Sequence, residues 1–137
     1  MESAITIEAT VNAPVEKVWE FWNAPEHITK WAFASDEWHC PAAENDLQVG
    51  GKFTTRMEAK DGSFGFEFGG IYDEVQTNKF ISYTLGDGRT VKITFVSEGN
   101  STKVIETFDP ENQNPIEMQR GGWQAILDNF KKHSEAS

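Results

Sequence analysis

Residues 114–133 read NPIEMQRGGWQAILDNFKKH, and how this stretch folds decides what the rest of the chain must do. No proline follows Pro115. Trp123, Ile126, Leu127 and Phe130 recur at i, i+3, i+4 and i+7, one apolar stripe of an amphipathic helix. Asp128, Lys131 and Lys132 fall on other faces, and the late lysines suit the negative end of the helix dipole. Extended backward, the stripe passes through Arg120, Gln119 and Ile116, so polar groups join the same face. Gly121 and Gly122 sit mid-helix, where each costs about 1 kcal/mol relative to Ala. Such a pair implies either close approach of another element or room left unfilled. The expectation is a helix packed tightly over its C-terminal half, facing a space at its N-terminal half, with the preceding strands wrapped around that face.

Those strands are legible from alternation. Ile5, Ile7, Ala9 and Val11 alternate with Thr6, Glu8 and Thr10, the pattern of a half-buried strand. Asn12 and Ala13 then lead into Pro14, well placed at a first helical position. Val15, Val18, Trp19 and Trp22 follow at helical spacing. Pro25 opens a second short helix that ends at Trp31. Residues 32–51 carry a weak pattern, with an irregular strand expected over 38–43. Phe53, Thr55 and Met57 share one face of the next strand, and Asp61 with Gly62 marks a hairpin turn. Phe64, Phe66, Phe68, Gly70 and Tyr72 return on one parity, and Gly69 with Gly70 reads as a bulge or sharp bend. Three further strands follow over 80–85, 91–95 and 102–108, separated by short polar turns. Links of hairpin length force antiparallel pairing. The fold class is therefore α+β: a curved antiparallel sheet of about six to seven strands, two short helices after strand one, and a long C-terminal helix in the concave side.

Composition narrows the function. The 137 residues are expected to form one domain, and ten Phe with five Trp make its interior aromatic-heavy. No run approaches the roughly 18 apolar residues of a membrane span, and the N-terminus lacks the regions of a signal peptide. One cysteine, Cys40, excludes an internal disulfide and fits a reducing cytoplasm. A net charge of -10 repels phosphate backbones and anionic lipid heads. Nucleic acid and membrane are therefore not expected as partners.

The element order and several local strings resemble the START-like, pollen-allergen-type superfamily (SRPBCC). Within it the chain is similar to the bacterial homologues of the activator of the Hsp90 ATPase. The likeness rests on APVEKVW at 13–19, Trp31, DLQVGGKF at 46–53, GIYDEV at 70–75, ETF at 106–108, and Gly122, Trp123 and Leu127. The resemblance implies a helix-grip fold, with a ligand cavity between the sheet and the last helix. Relatives bind lipids, hormones or polyketides, some are cyclases or hydrolases, and the eukaryotic namesake stimulates a chaperone ATPase.

Candidate chemistry is sparse. His39 and Cys40 are adjacent, and neighbours on a strand point to opposite faces. With only His27, His39, His133 and Cys40 available, no zinc-ligand spacing, nucleophile–base pair or cofactor motif is present. Glu106 is more informative. Strand parity puts it with Val104 and Phe108 on the concave side, where a carboxylate must find a partner or rise in pKa. Three readings stand: a polar anchor for an apolar ligand, a buried ion pair with Arg120, or a solvated group if a bulge flips the strand. Trp22, Trp31, Phe53, Phe66, Phe68, Tyr72, Phe95 and Trp123 line a cavity or fill a plain core, and the hydroxyls of Tyr72 and Tyr83 want partners if buried. The first expectation is a non-enzymatic module without cofactor. It would bind a small apolar or aromatic molecule at these eleven residues, with its opening near the short helices and the loop 32–45. The alternatives are an interaction protein working on a chaperone and an enzyme using Glu106.

Overall fold

In a computed structural model that describes residues 4–136, the alternating stretches become a sheet and the two apolar stripes become its helices. The elements are β1 (Ile5–Val11), α1 (Val15–Asn23), α2 (Pro25–Trp31), β2 (Trp38–Asn45), β3 (Lys52–Ala59) and β4 (Gly65–Gln76). They continue with β5 (Phe80–Leu85), β6 (Thr90–Glu98), β7 (Ser101–Phe108) and α3 (Ile116–Ala136). The seven strands pair antiparallel in the order β1-β7-β6-β5-β4-β3-β2. The chain starts at one border, crosses to the other through α1 and α2, and returns by hairpins. No helix among the described residues is long and apolar enough to cross a membrane.

Parity decides which side of the sheet is core. On β7, Thr102, Val104, Glu106 and Phe108 are buried while the residues between them are half-exposed. The ladders of β7 to β1 and to β6 run without a register shift, so no bulge turns Glu106 outward. Its cross-strand neighbours are Ile7 and Ile93, and Ile93 pairs in turn with Ile81. The acid therefore sits in a row with three isoleucines and is flanked directly by Ile7 and Ile93. α3 lies on this face and buries Gln119, Leu127, Phe130 and Ser134. Phe130 is fully buried, edge-on to Trp22 at 4.8 Å and Trp31 at 4.9 Å. The C-terminal half of α3 is thus locked onto α1 and α2, as the tight end of the stripe requires.

Four details differ from the expectation. Pro14 is the N-cap of α1, extended at φ -67 and ψ 156, and the helix begins one residue later. β2 is longer than expected and reaches Asn45, with its irregularity between His39 and Ala42, around Pro41. Gly69 and Gly70 stay inside a regular ladder with β3; the register shift comes later, between Tyr72 and Glu74 against β5. The pair is needed because the strands crowd there. A Cβ on Gly69 would lie 2.5 Å from the Phe53 carbonyl oxygen, and one on Gly70 2.6 Å from that of Thr84. The helical pair Gly121 and Gly122 has no such reason: a Cβ at either meets nothing within 4 Å. It makes room neither for a neighbouring element nor for a cavity.

The two borders of the sheet carry different neighbours. Along β1, Arg120 donates from Nη1 to the Thr6 carbonyl at 3.3 Å, and Gln124 from Nε2 to the Glu8 carbonyl at 3.3 Å. At the other border β2 contains Pro41, which has no amide hydrogen to offer.

Candidate functional site

Between the sheet and the N-terminal half of α3 lies a cavity of about 330 Å³. Phe53, Thr55 and Met57 of β3 face it on one parity, as do Phe66, Phe68 and Tyr72 of β4. Ile81 and Tyr83 of β5 and Glu106 of β7 complete the sheet wall, and Gln119, Trp123 and Ile126 of α3 form the opposite wall. The rings hold one another in place. Trp123 stacks on Phe108 at 3.9 Å and 9° and meets Phe68 edge-on at 5.7 Å, while Phe53 meets Tyr83 edge-on at 4.6 Å.

Hydrogen bonds fix each end. At the α1 end, the Tyr72 hydroxyl donates to Asn45 Oδ1 at 2.5 Å, Asn45 donates to the Asn23 carbonyl at 2.8 Å, and Asn23 donates to the Trp19 carbonyl at 2.9 Å. At the other end, Gln119 Nε2 donates to the carbonyls of Glu111 and Asn114, and its oxygen accepts from the Glu111 amide at 2.9 Å. Gln119 thereby ties down the loop that enters α3. Buried Asn23, Ile28, Trp31 and Ala32 wall the α1–α2 end, whereas exposed Phe66 and Asn114 rim the other. The mouth is therefore at the start of α3, not beside the short helices. Their apolar faces lie on Phe130 and close the end beside the short helices. The rim residue Phe66, by contrast, lies 6.0 Å from Trp38, in the loop 32–45 where the opening was also expected.

Two buried polar groups in the wall are left over. Glu106 is 6% exposed and has no hydrogen-bond or ion-pair partner among the described residues. Burial alone pushes its carboxyl up to about 8, which favours the protonated acid at pH 7. Tyr83 is likewise unpartnered; burial, then the nearby Glu106 and Tyr72, hold its hydroxyl well above the usual phenol range. Burial also raises Tyr72, against the opposing hydrogen bond to Asn45.

Nine of the eleven expected residues face this one space: Trp22, Trp31, Phe53, Phe66, Phe68, Tyr72, Tyr83, Glu106 and Trp123. Two do not. Phe95 is ordinary core, edge-on to Trp19 at 5.3 Å and Trp22 at 5.9 Å, because α1 covers its end of β6. Arg120 does not pair with Glu106. One residue along the helix turns the direction by about 100°, so Gln119 takes the inward position and Arg120 goes to the border of β1. Its Nε also lies 3.7 Å from the Glu117 carboxylate. The contributions of Asn23 and Asn45 were missed, since a lone Asn carries no periodic signal. Those of Thr55, Met57 and Ile126 were present in the alternation and the stripe. Cys40 lies apart, its Sγ donating to the Ala42 carbonyl at 3.4 Å and its thiol raised by burial. No group of His, Cys, Asp and Glu among the described residues is placed to hold a metal ion.

Residues 12–135 match the sequence profile of the family described as Activator of Hsp90 ATPase homolog 1-like protein. A solution structure from Cytophaga hutchinsonii is 59% identical, with a TM-score of 0.84 over 97% of this chain and 92% of that one. The solution structure of an AHSA1-like protein from Aeromonas hydrophila is 45% identical, with a TM-score of 0.92 over 98% of this chain and 93% of that one. A crystal structure from Nitrosomonas europaea shares the fold at 19% identity, with a TM-score of 0.83 over 99% of this chain and 97% of that one. None of the curated proteins is a significant match.

Proposed function

The chain belongs to the Activator of Hsp90 ATPase homolog 1-like family, and from that premise we propose that it binds a small apolar or aromatic molecule between the sheet and α3. The observation that supports this reading is the aromatic-walled cavity of about 330 Å³ with a mouth at the start of α3, within the usual range of ligand pockets, about 300–1,000 Å³. A guest giving up about 300 Å² of apolar surface gains roughly 7 kcal/mol. Association takes back several kcal/mol, so micromolar affinity needs a polar contact as well. Glu106, Tyr83 and the Tyr72–Asn45 pair are the groups in the wall that supply one.

The test is native mass spectrometry of the purified protein for a retained small molecule, followed by a thermal-shift screen of aromatic compounds. A ligand at 100 times its dissociation constant adds about 2.7 kcal/mol, roughly 8–10 °C for a chain of this length. A panel without any shift, and a protein that carries nothing, would count against binding.

A second reading has one observation in its favour. Trp38, Phe64 and Phe66 form an aromatic cluster with ring centroids 6.0 to 6.1 Å apart, and Phe64 is 61% exposed. Together with the family's description, this supports a chaperone as partner. Stimulation of ATP hydrolysis by an Hsp90, lost in Phe64→Ser, is the expected result under that reading.

A further inference from the structure

The charges around the cavity disfavour one class of ligand. Arg89 is the single cation among the described residues that line it, and it sits at the rim with its Nε on Asp87 at 2.7 Å. Glu111 shares that rim. A guest with a carboxylate or phosphate head would therefore meet no counter-charge inside, and it would approach a protein of net charge -10. A neutral guest with a hydroxyl or carbonyl hydrogen-bonds the protonated Glu106, flanked by Ile7 and Ile93, but leaves its proton in place. A guest with a protonated amine changes that balance. It supplies a counter-charge for the ionised acid, and the rings of Phe53, Phe68, Tyr83 and Trp123 line the same space, a setting that favours a cation over an anion.

Resting on the binding reading above, we propose that the ligand is an aromatic or apolar amine whose ammonium group takes Glu106 as its counter-ion. The groups that flank Glu106 or share the cavity wall with it are consistent with this. β1 and β6 contribute isoleucines, β5 contributes Tyr83, and β4 contributes Tyr72. α3 contributes Gln119, Trp123 and Ile126, none of them charged. Binding of the cation ionises the acid. With the carboxyl raised to about 8 in the unliganded protein, most of a proton leaves to solvent per amine bound at pH 7. The amine keeps its own proton, and no covalent bond forms or breaks.

The experiment is isothermal titration calorimetry of the whole chain with naphthylmethylamine and its neutral counterpart naphthylmethanol, at pH 7 in phosphate and in Tris. The amine is expected to bind about tenfold tighter or better. Its enthalpy should differ between the buffers by the ionisation heat of close to one proton. In Glu106→Gln that preference should shrink to within about threefold. Equal or tighter binding of the alcohol to the unaltered protein overturns the amine assignment and leaves the binding reading standing. An amine preference that survives in Glu106→Gln, or amine binding without proton release, overturns the role of Glu106. No binding of either compound overturns both. The buffer comparison uses the unaltered protein, so the outcome does not depend on the variant folding.

Discussion

Glu106 makes this protein's stability depend on pH in an unusual direction. Its carboxyl is held at about 8 in the folded chain, against 4.5 for the ordinary group. Below 4.5 both states carry the proton and nothing is lost. Between 4.5 and 8 the unfolded chain releases its proton while the folded one retains it, so stability falls as pH rises, by about 3–5 kcal/mol in all. Glu106→Gln should therefore match the parent near pH 4.5 and exceed it by about 2–4 kcal/mol at pH 8, read from urea midpoints. A flat difference across that range would show that the acid is better solvated than its position implies. His133 acts in the opposite sense. Its ring lies 3.0 Å from His27 Nδ1, and burial, then the charges of His27, Lys30 and Lys17, lower its pKa. The unfolded chain then takes up the proton first, and stability falls as pH drops below about 6.5. His133→Gln should lessen that decline, a comparison that also separates it from the rise contributed by Glu106 in the same window.

The glycine pairs carry opposite predictions. Gly121→Ala and Gly122→Ala add a Cβ where nothing lies within 4 Å, so each should raise stability by about 0.5–1 kcal/mol through helix propensity. Gly70→Ala pushes a Cβ onto the Thr84 carbonyl and should cost about 1–3 kcal/mol or more. Thermal midpoints of the three variants check both. The sequence alone could not separate these cases. Alternation and the helical stripes carried most elements, because periodicity reports which way a side chain faces. β2, kinked around Pro41, gave only a weak pattern, and α2 was marked by Pro25. Whether a glycine is crowded depends on the neighbouring strand, which periodicity does not report. The same limit explains Arg120. Its face was approached within one residue, but its partner, the Thr6 carbonyl, is 114 positions away. Asn23 and Asn45, which close one end of the cavity, were illegible for the same reason.

On the scale of the whole molecule, an empty cavity is a stability reserve left undrawn. Ile126→Phe, which places extra bulk in it, should raise the melting temperature by a few degrees and abolish the thermal shift given by any bound aromatic compound. A variant that still shifted would place the binding site elsewhere. The borders of the sheet have a consequence of their own. Seven strands do not close into a barrel here, so both outermost strands would ordinarily be templates for intermolecular β-pairing and fibril growth. Arg120 and Gln124 cap the carbonyls of one margin, and Pro41 removes an amide from the other. The double variant Arg120→Ala, Gln124→Ala should stain with thioflavin sooner than the parent during prolonged warm incubation. Arg120, by sequence a candidate partner for an interior acid, would then act instead at the margin, against polymerisation.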